Sequence, residues 1–323
     1  MHIEGSLEAE LVVALARRNG IDLPTFDAAE LKARYEFTDL QSFLDIYYAN
    51  LSVMKTEEDF YDLGTAYLTR AAASGVRHAE MFFDLQTHTL NGVPSEAVFG
   101  GLSAAIADAR ASTGISADLI LCFLRHLGGE AATQTLRAAL PFRDQFIGVG
   151  LDSSELGFPP SLFTEAFAIA GSEQLHRVAH AGEEAGPDYV WEALDLLGVE
   201  RIDHGNRAME DPELVARLRD EQIPLTVCPL SNIALKTAPP ELADHLLPAM
   251  LAEGLLVSIN SDDPAYFGGY VDDNFAAITA QLDLAPAQLG LLAENSFTSS
   301  FLPEAEKESL RLEVRKALEN DQY

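Results

Sequence analysis

The chain has 323 residues, 48% of them hydrophobic, and carries 51 acidic against 21 basic side chains, for a formal net charge of −30 at pH 7. A surface this negative repels phosphate backbones and anionic lipid, which argues against nucleic acid and membrane surfaces as partners. The apolar share is ample for a large core, and no apolar run is long enough to span a bilayer.

The elements follow in chain order. Residues 1–4 read as a short strand stub. Residues 6–74 form a helical block in which the aromatic pair Tyr47 and Tyr48 is expected in the core, as is the later pair Phe82 and Phe83. Seven apolar, β-rich runs then alternate with helical patterns such as 189–197 and 212–221. The runs are 76–84 (VRHAEMFFD), 118–125 (DLILCFLR), 146–152 (FIGVGLD), 176–182 (HRVAHAG), 200–205 (ERIDHG), 223–229 (IPLTVCP) and 255–262 (LLVSINSD). Near-continuous apolar strands separated by helices imply parallel strands buried on both faces. Seven runs and the stub make eight βα units, which predicts a single-domain (β/α)8 TIM-type barrel, a fold of typically about 250 residues. Residues 6–74 are then a helical insertion after the first strand, placed to act as a lid. A doubly wound open sheet is the alternative. Cys122 and Cys228 fall inside apolar runs and read as free thiols of a reducing compartment. A cytoplasmic location is expected, and self-association as a homo-oligomer stays open.

In such a barrel the chemistry sits at the C-terminal ends of the strands. The stub offers His2 and Glu4. Later ends offer His180, Glu183 and Glu184 (VAHAGEE), Asp203 and His204 (RIDHGNR), and Asp262 and Asp263 (NSDDP). Each residue has an ordinary structural reading: Asp262 as a helix cap, Glu183 and Glu184 as a solvated helix start, a lone histidine as a core residue. Their joint occurrence on one rim is harder to dismiss, because imidazole and carboxylate donors suit zinc. His78, His88, His126, His176 and His245 show no such placement.

These residues carry a family resemblance. The stretches HIEGSLE (2–8), HAGE (180–183), DHG (203–205), CPLSN (228–232) and SDDP (261–264) occur in one order along the whole chain. Together they resemble the adenosine/adenine deaminase branch of the amidohydrolase superfamily. The resemblance implies a barrel holding one zinc ion per chain, with His2, His180 and Asp262 as ligands. It implies Glu183 as the acid that protonates purine N1. His204 would orient and deprotonate the attacking water, and Asp263 would face that water and the N7 side of the purine. Hydroxide attack at C6 needs an activated water and a protonated acid, which explains the residue types.

Two stretches bear on the substrate. Nucleoside deaminases carry HLDG where this chain has HIEG, so Glu4 replaces the ribose-facing aspartate. The stretch GLDSSELGFPP (150–160) resembles the adenine deaminase branch. Ser154, Glu155 and Gly182 are therefore expected, with Glu4, to line the base, and Glu155 to accept its ring N–H. The implied reaction converts adenine to hypoxanthine and ammonia in purine salvage. N6-substituted adenines or adenosine are the alternatives, and a non-catalytic zinc- or purine-binding protein is the alternative of another class.

One element is missing from the resemblance. The family's first strand carries His-x-His, both histidines on the metal. Here Met1 fills the x position before His2. The expectation is that the sequence is a truncated form of a longer chain reading His-Met-His.

Overall fold

The computed structural model describes residues 1–320. Seven parallel strands pair in strict sequence order: β1 (His78–Phe83), β2 (Ser116–Leu124), β3 (Gly148–Asp152), β4 (His176–Ala181), β5 (Arg201–His204), β6 (Leu225–Val227) and β7 (Val257–Ile259). Helices cover the connections, as at Ser95–Thr113 and Pro212–Asp220. A doubly wound sheet reverses its strand order midway; this one never does, so it curls as a barrel does. The strands are shorter than the apolar runs that announce them, because the run ends turn away toward helices or the site.

The expected first strand is a single bridge. His2 pairs with Phe82, Phe82 N–H donates to the Met1 carbonyl at 2.9 Å, and Ile3 N–H donates to the Phe82 carbonyl at 2.9 Å. On its other side His2 N–H donates to the Asp262 carbonyl at 3.1 Å, just beyond β7. The stub therefore joins the two ends of the sheet at the C-terminal rim, and the chain turns away at once through Glu4–Ser6. Below that joint, a cavity of about 600 Å³ lies between β1 and β7, with Met1, Glu80, Arg201 and Asp203 among its walls.

Four helices fill the insertion: α1 (Ala9–Asn19), α2 (Ala28–Lys32), α3 (Leu40–Leu51) and α4 (Glu57–Ala73). Helix α3 starts on a capping box in which the Asp39 carboxylate accepts from Ser42 N–H at 2.8 Å. It presents Phe43 and Tyr47 to the barrel mouth, where the Phe43 ring centre lies 4.6 Å from that of Phe267. Both cysteines are buried and free. Among the described residues no helix is long and apolar enough to cross a membrane.

The floor of the barrel rests on a buried ion pair. Arg201 at the start of β5 donates to Glu80 on β1 and to the Ser299 carbonyl, and it stacks over Phe301 at 4.7 Å. Burial alone would raise the Glu80 carboxyl, but Arg201, His78 and the Phe301 N–H outweigh it and lower its pKa to about 2. Replacing Arg201 with Met strands that carboxylate, and stability to urea should fall by about 3–5 kcal/mol. Because the folded pKa is depressed from 4.5, the stabilisation is complete above about pH 5 and fades toward pH 2. The difference between wild type and Arg201→Met should shrink over that acid range in urea titrations.

Candidate active site

Three strand ends bring the site together, and two of them bend abruptly. His204 and Asp262 hold φ of 64° and 57°, a left-handed conformation costly for residues with side chains and concentrated at functional sites. At Asp262 this bend separates two adjacent carboxylates. The Asp262 side chain turns toward the histidines and accepts from Ser231 Oγ at 2.5 Å, while Asp263 faces the mouth cavity. Gly5 permits the close approach behind Asp263, since a Cβ there would come within 2.0 Å of Asp263 Oδ1.

His2, His180 and Asp262 offer donor atoms all within 4.8 Å of one another. His2 Nε2 lies 3.1 Å from His180 Nε2 and 3.6 Å from Asp262 Oδ1. Each imidazole turns its other nitrogen to a carboxylate: His2 Nδ1 to Asp152 at 3.5 Å, His180 Nδ1 to Asp203 at 3.8 Å. Burial, reinforced by neighbouring positive groups, holds both rings well below their ordinary pKa. Two neutral imidazoles facing each other beside a carboxylate, each oriented from behind, fit a metal ion better than they fit one another.

His204 stands beside this group, with Nε2 3.8 Å from both Glu183 Oε2 and Asp262 Oδ2. Its Nδ1 meets the Asn232 amide at 3.2 Å, and Asn232 in turn meets His245 at 3.4 Å. Burial favours the neutral ring, but Glu183 and Asp262 outweigh it and raise its pKa. Glu183 is buried, and mainly for that reason its pKa is pushed up to about 8, which leaves a neutral acid at physiological pH. Asp263 is pushed well above the usual carboxylate range, first by burial and then by Asp262. The cavity over these groups is roofed by Leu40, Phe43, Leu44, Tyr47 and Tyr48 and has room for about 30 Å³, so the larger cavity below the rim is not where the polar groups converge.

The structure gives other work to the residues expected around a base. Both Glu155 oxygens are taken by backbone N–H groups: Gly182 at 2.7 Å, Glu183 at 3.1 Å, Glu184 at 2.6 Å and Ala185 at 2.8 Å. Glu155 is thus the anchor of the loop that carries Glu183, and Gly182 is one of its donors. Glu4 accepts from Asp84 N–H and meets His88 Nε2, both at 2.9 Å. Ser154 donates to Gln41 on α3 at 2.9 Å. None of the four lines the mouth cavity. Asp84 and Asp152 do, and they were not singled out from the sequence, although each closes an apolar run (MFFD, GVGLD) as the other site carboxylates do. Tyr47, expected only as core, is both buried and part of the roof.

A family model described as adenosine deaminase matches residues 1–317. An adenine deaminase of Ectopseudomonas mendocina is 58% identical over 296 residues, 92% of this chain and 94% of its own. That of Streptomyces coelicolor is 56% identical over 307 residues, 95% of this chain and 90% of its own. The crystal structure of an adenine deaminase from Arthrobacter aurescens superposes with a TM-score of 0.97 at 52% identity, covering 99% of this chain and 97% of that one. An amidohydrolase from Burkholderia ambifaria with bound Zn superposes with a TM-score of 0.91 at 27% identity, covering 98% and 88%.

Removing the Glu155 carboxylate leaves four buried N–H groups without acceptors. Each orphaned donor costs about 1–3 kcal/mol where water cannot replace the partner. Glu155→Ala should therefore lower stability to urea by about 3 kcal/mol or more and speed amide exchange at Gly182–Ala185. Unchanged exchange in that loop would return Glu155 to a role in ligand contact.

Proposed function

The chain belongs to the adenosine deaminase family, and from that premise we infer that it converts adenine to hypoxanthine and ammonia by hydrolysis, a step of purine salvage. The observation that carries the reading is Glu183: a buried carboxylic acid, neutral at pH 7, 3.8 Å from His204 and beside the His2–His180–Asp262 group. Attack at purine C6 moves electrons to N1, and an acid must meet them there. The high identity to adenine deaminases over almost the whole chain supports adenine itself. So does the tight mouth cavity, which favours an unsubstituted base over a ribosylated or N6-substituted one.

The ligand group would hold one zinc ion per chain, in keeping with the Zn-bound relative. Zinc, when bound, supplies a water acidic enough to give hydroxide near neutral pH, with a pKa of about 7. The side chains do the rest. His204 takes a proton from the attacking water and directs the oxygen at C6. Glu183 gives its proton to N1 as the C6–O bond forms. Asp263, protonated in its buried position, donates to N7 and fixes the plane of the base. Breaking the C6–N6 bond then releases ammonia, with His204 returning the proton. Glu155 acts behind Glu183 as a positioning residue.

Helix α3 serves as the lid. It carries all five roof residues, and it is tied to the β3 loop by Tyr48 Oη donating to Ser153 Oγ at 3.0 Å and by the Gln41–Ser154 bond. Two buried free thiols suit a reducing compartment, so the reading places the enzyme in the cytoplasm.

Glu183→Gln preserves shape and removes the acid. Turnover of adenine should fall by about 10²–10⁴, the range for a lost general acid, while zinc content by metal analysis stays unchanged. Near-normal turnover in the zinc-loaded variant would remove the proton-donor role. Stripping the metal with a chelator should abolish ammonia release, and one equivalent of zinc should restore it. Restoration by magnesium alone would sink the zinc assignment, because an imidazole-rich donor set disfavours that ion.

A further inference from the structure

We propose that Asp84 is the residue that selects the free base, by accepting the imidazole-ring N–H that adenine carries at N9 and that any nucleoside lacks. The proposal rests on the reading of the site as an adenine deaminase and extends it to the opposite edge of the substrate.

Geometry by elimination points there. With C6 toward the ligand group, N1 toward Glu183 and N7 toward Asp263, the N3–C4–N9 edge of the purine is turned away from all three. The polar lining of the cavity that remains is Tyr47, Tyr48, Ser153, Asp84 and Asp152. Ser153 Oγ is already engaged, receiving Tyr48 Oη at 3.0 Å and meeting His126 Nδ1 at 2.9 Å. Tyr47 Oη has no partner, but a phenol is the poorer acceptor for a ring N–H. Asp84 sits at the end of β1, 2% exposed, and its Oδ1 has no hydrogen-bond partner in the protein. Asp152 at the end of β3 lies beside it, equally buried, with an Oδ1 that is also unpartnered, although its other oxygen turns toward His2 at 3.5 Å.

An orphaned carboxylate oxygen in a wall this dry is costly unless a ligand completes it. A donor N–H completes it. A C–N bond to a sugar or an alkyl group leaves it unfilled and brings carbon against it. Sites built to hydrogen-bond a substrate N–H reject analogues that lack it far more strongly than apolar pockets reject extra bulk. The contact is made equally in the bound and reacting states, so it acts on binding more than on the chemical step.

The test compares adenine with 9-methyladenine, which has the same reacting edge and no N9–H, in the zinc-loaded full chain. Asp84→Asn keeps the volume and removes the charged acceptor; Asp84→Ala checks the result. For Asp84→Asn, kcat/KM for adenine should fall ten- to hundredfold, the value of a hydrogen bond to a charged group, mostly through KM. The ratio of kcat/KM for adenine over 9-methyladenine should fall at least tenfold. An unchanged ratio overturns the proposal, and so do equal losses on both compounds, which are the signature of a merely structural Asp84. If wild type releases no ammonia from adenine, the deaminase reading fails separately. Equilibrium titration of the two compounds onto wild type and Asp84→Asn then decides the assignment by the same ratio, read in Kd.

Discussion

The rest of the site depends on the desolvation of carboxyl groups. Glu4, Asp84, Asp152, Glu155, Glu183, Asp262 and Asp263 are all buried toward one rim of the barrel. An ionised carboxylate in such surroundings costs several kcal/mol unless something compensates it. The structure uses three kinds of compensation. Glu155 and Glu4 are met by backbone N–H and imidazole donors. Glu183 at about 8 and Asp152 at about 7 keep a proton near neutrality, with burial the leading cause for both. Asp262 is left to face two neutral imidazoles, an arrangement that a cation resolves. The kind of compensation sets the kind of chemistry: anchored carboxylates position loops, protonated ones deliver protons, and the remaining one holds a metal.

Barrel geometry decides which carboxylate receives which treatment. Residues at strand ends point into a common volume, but only a bend can divide neighbours between two tasks. The positive φ at Asp262 sends it to the histidines and leaves Asp263 to the mouth, so one Asp-Asp pair serves two partners. The same backbone state at His204 turns its ring between Glu183 and Asp262 instead of continuing β5 outward. Strain at these two points is offset by the packing of the strands that lead into them.

Strand runs and their C-terminal residues were legible in the sequence because both follow from local rules. Apolar runs mark buried parallel strands, and polar residues that end them mark the rim. His180, Glu183, His204, Asp262 and Asp263 all follow from that pattern. Asp84 and Asp152 obey it too, and went unread because no motif drew the eye to MFFD or GVGLD. The roles of Glu155, Glu4 and Ser154 were not legible. They depend on which backbone N–H or side chain lies opposite, a matter of tertiary register that a one-dimensional pattern does not carry. The stub illustrates the same limit: residues 1–4 look like a strand, yet the chain forms one bridge at His2 before Glu4–Ser6 turns away to build the insertion.

Helix α3 links the lid to the acid. Burial is the first cause of the raised pKa at Glu183, and the residues that bury it from the solvent side are those of α3: Leu40, Phe43, Leu44 and Tyr47. Lifting α3 to admit a base would let water reach Glu183, remove part of the desolvation and move its pKa back toward the 4.5 of an ordinary glutamate. Closing α3 over the base reverses this, and Glu183 takes up a proton as its surroundings dry. A single movement would then confine the substrate, exclude bulk water from C6 and protonate the group that must meet N1. That coupling accounts for a roof made almost wholly of apolar and aromatic side chains: polar groups there would hydrate the acid in the closed state and leave it ionised when the reaction requires it neutral.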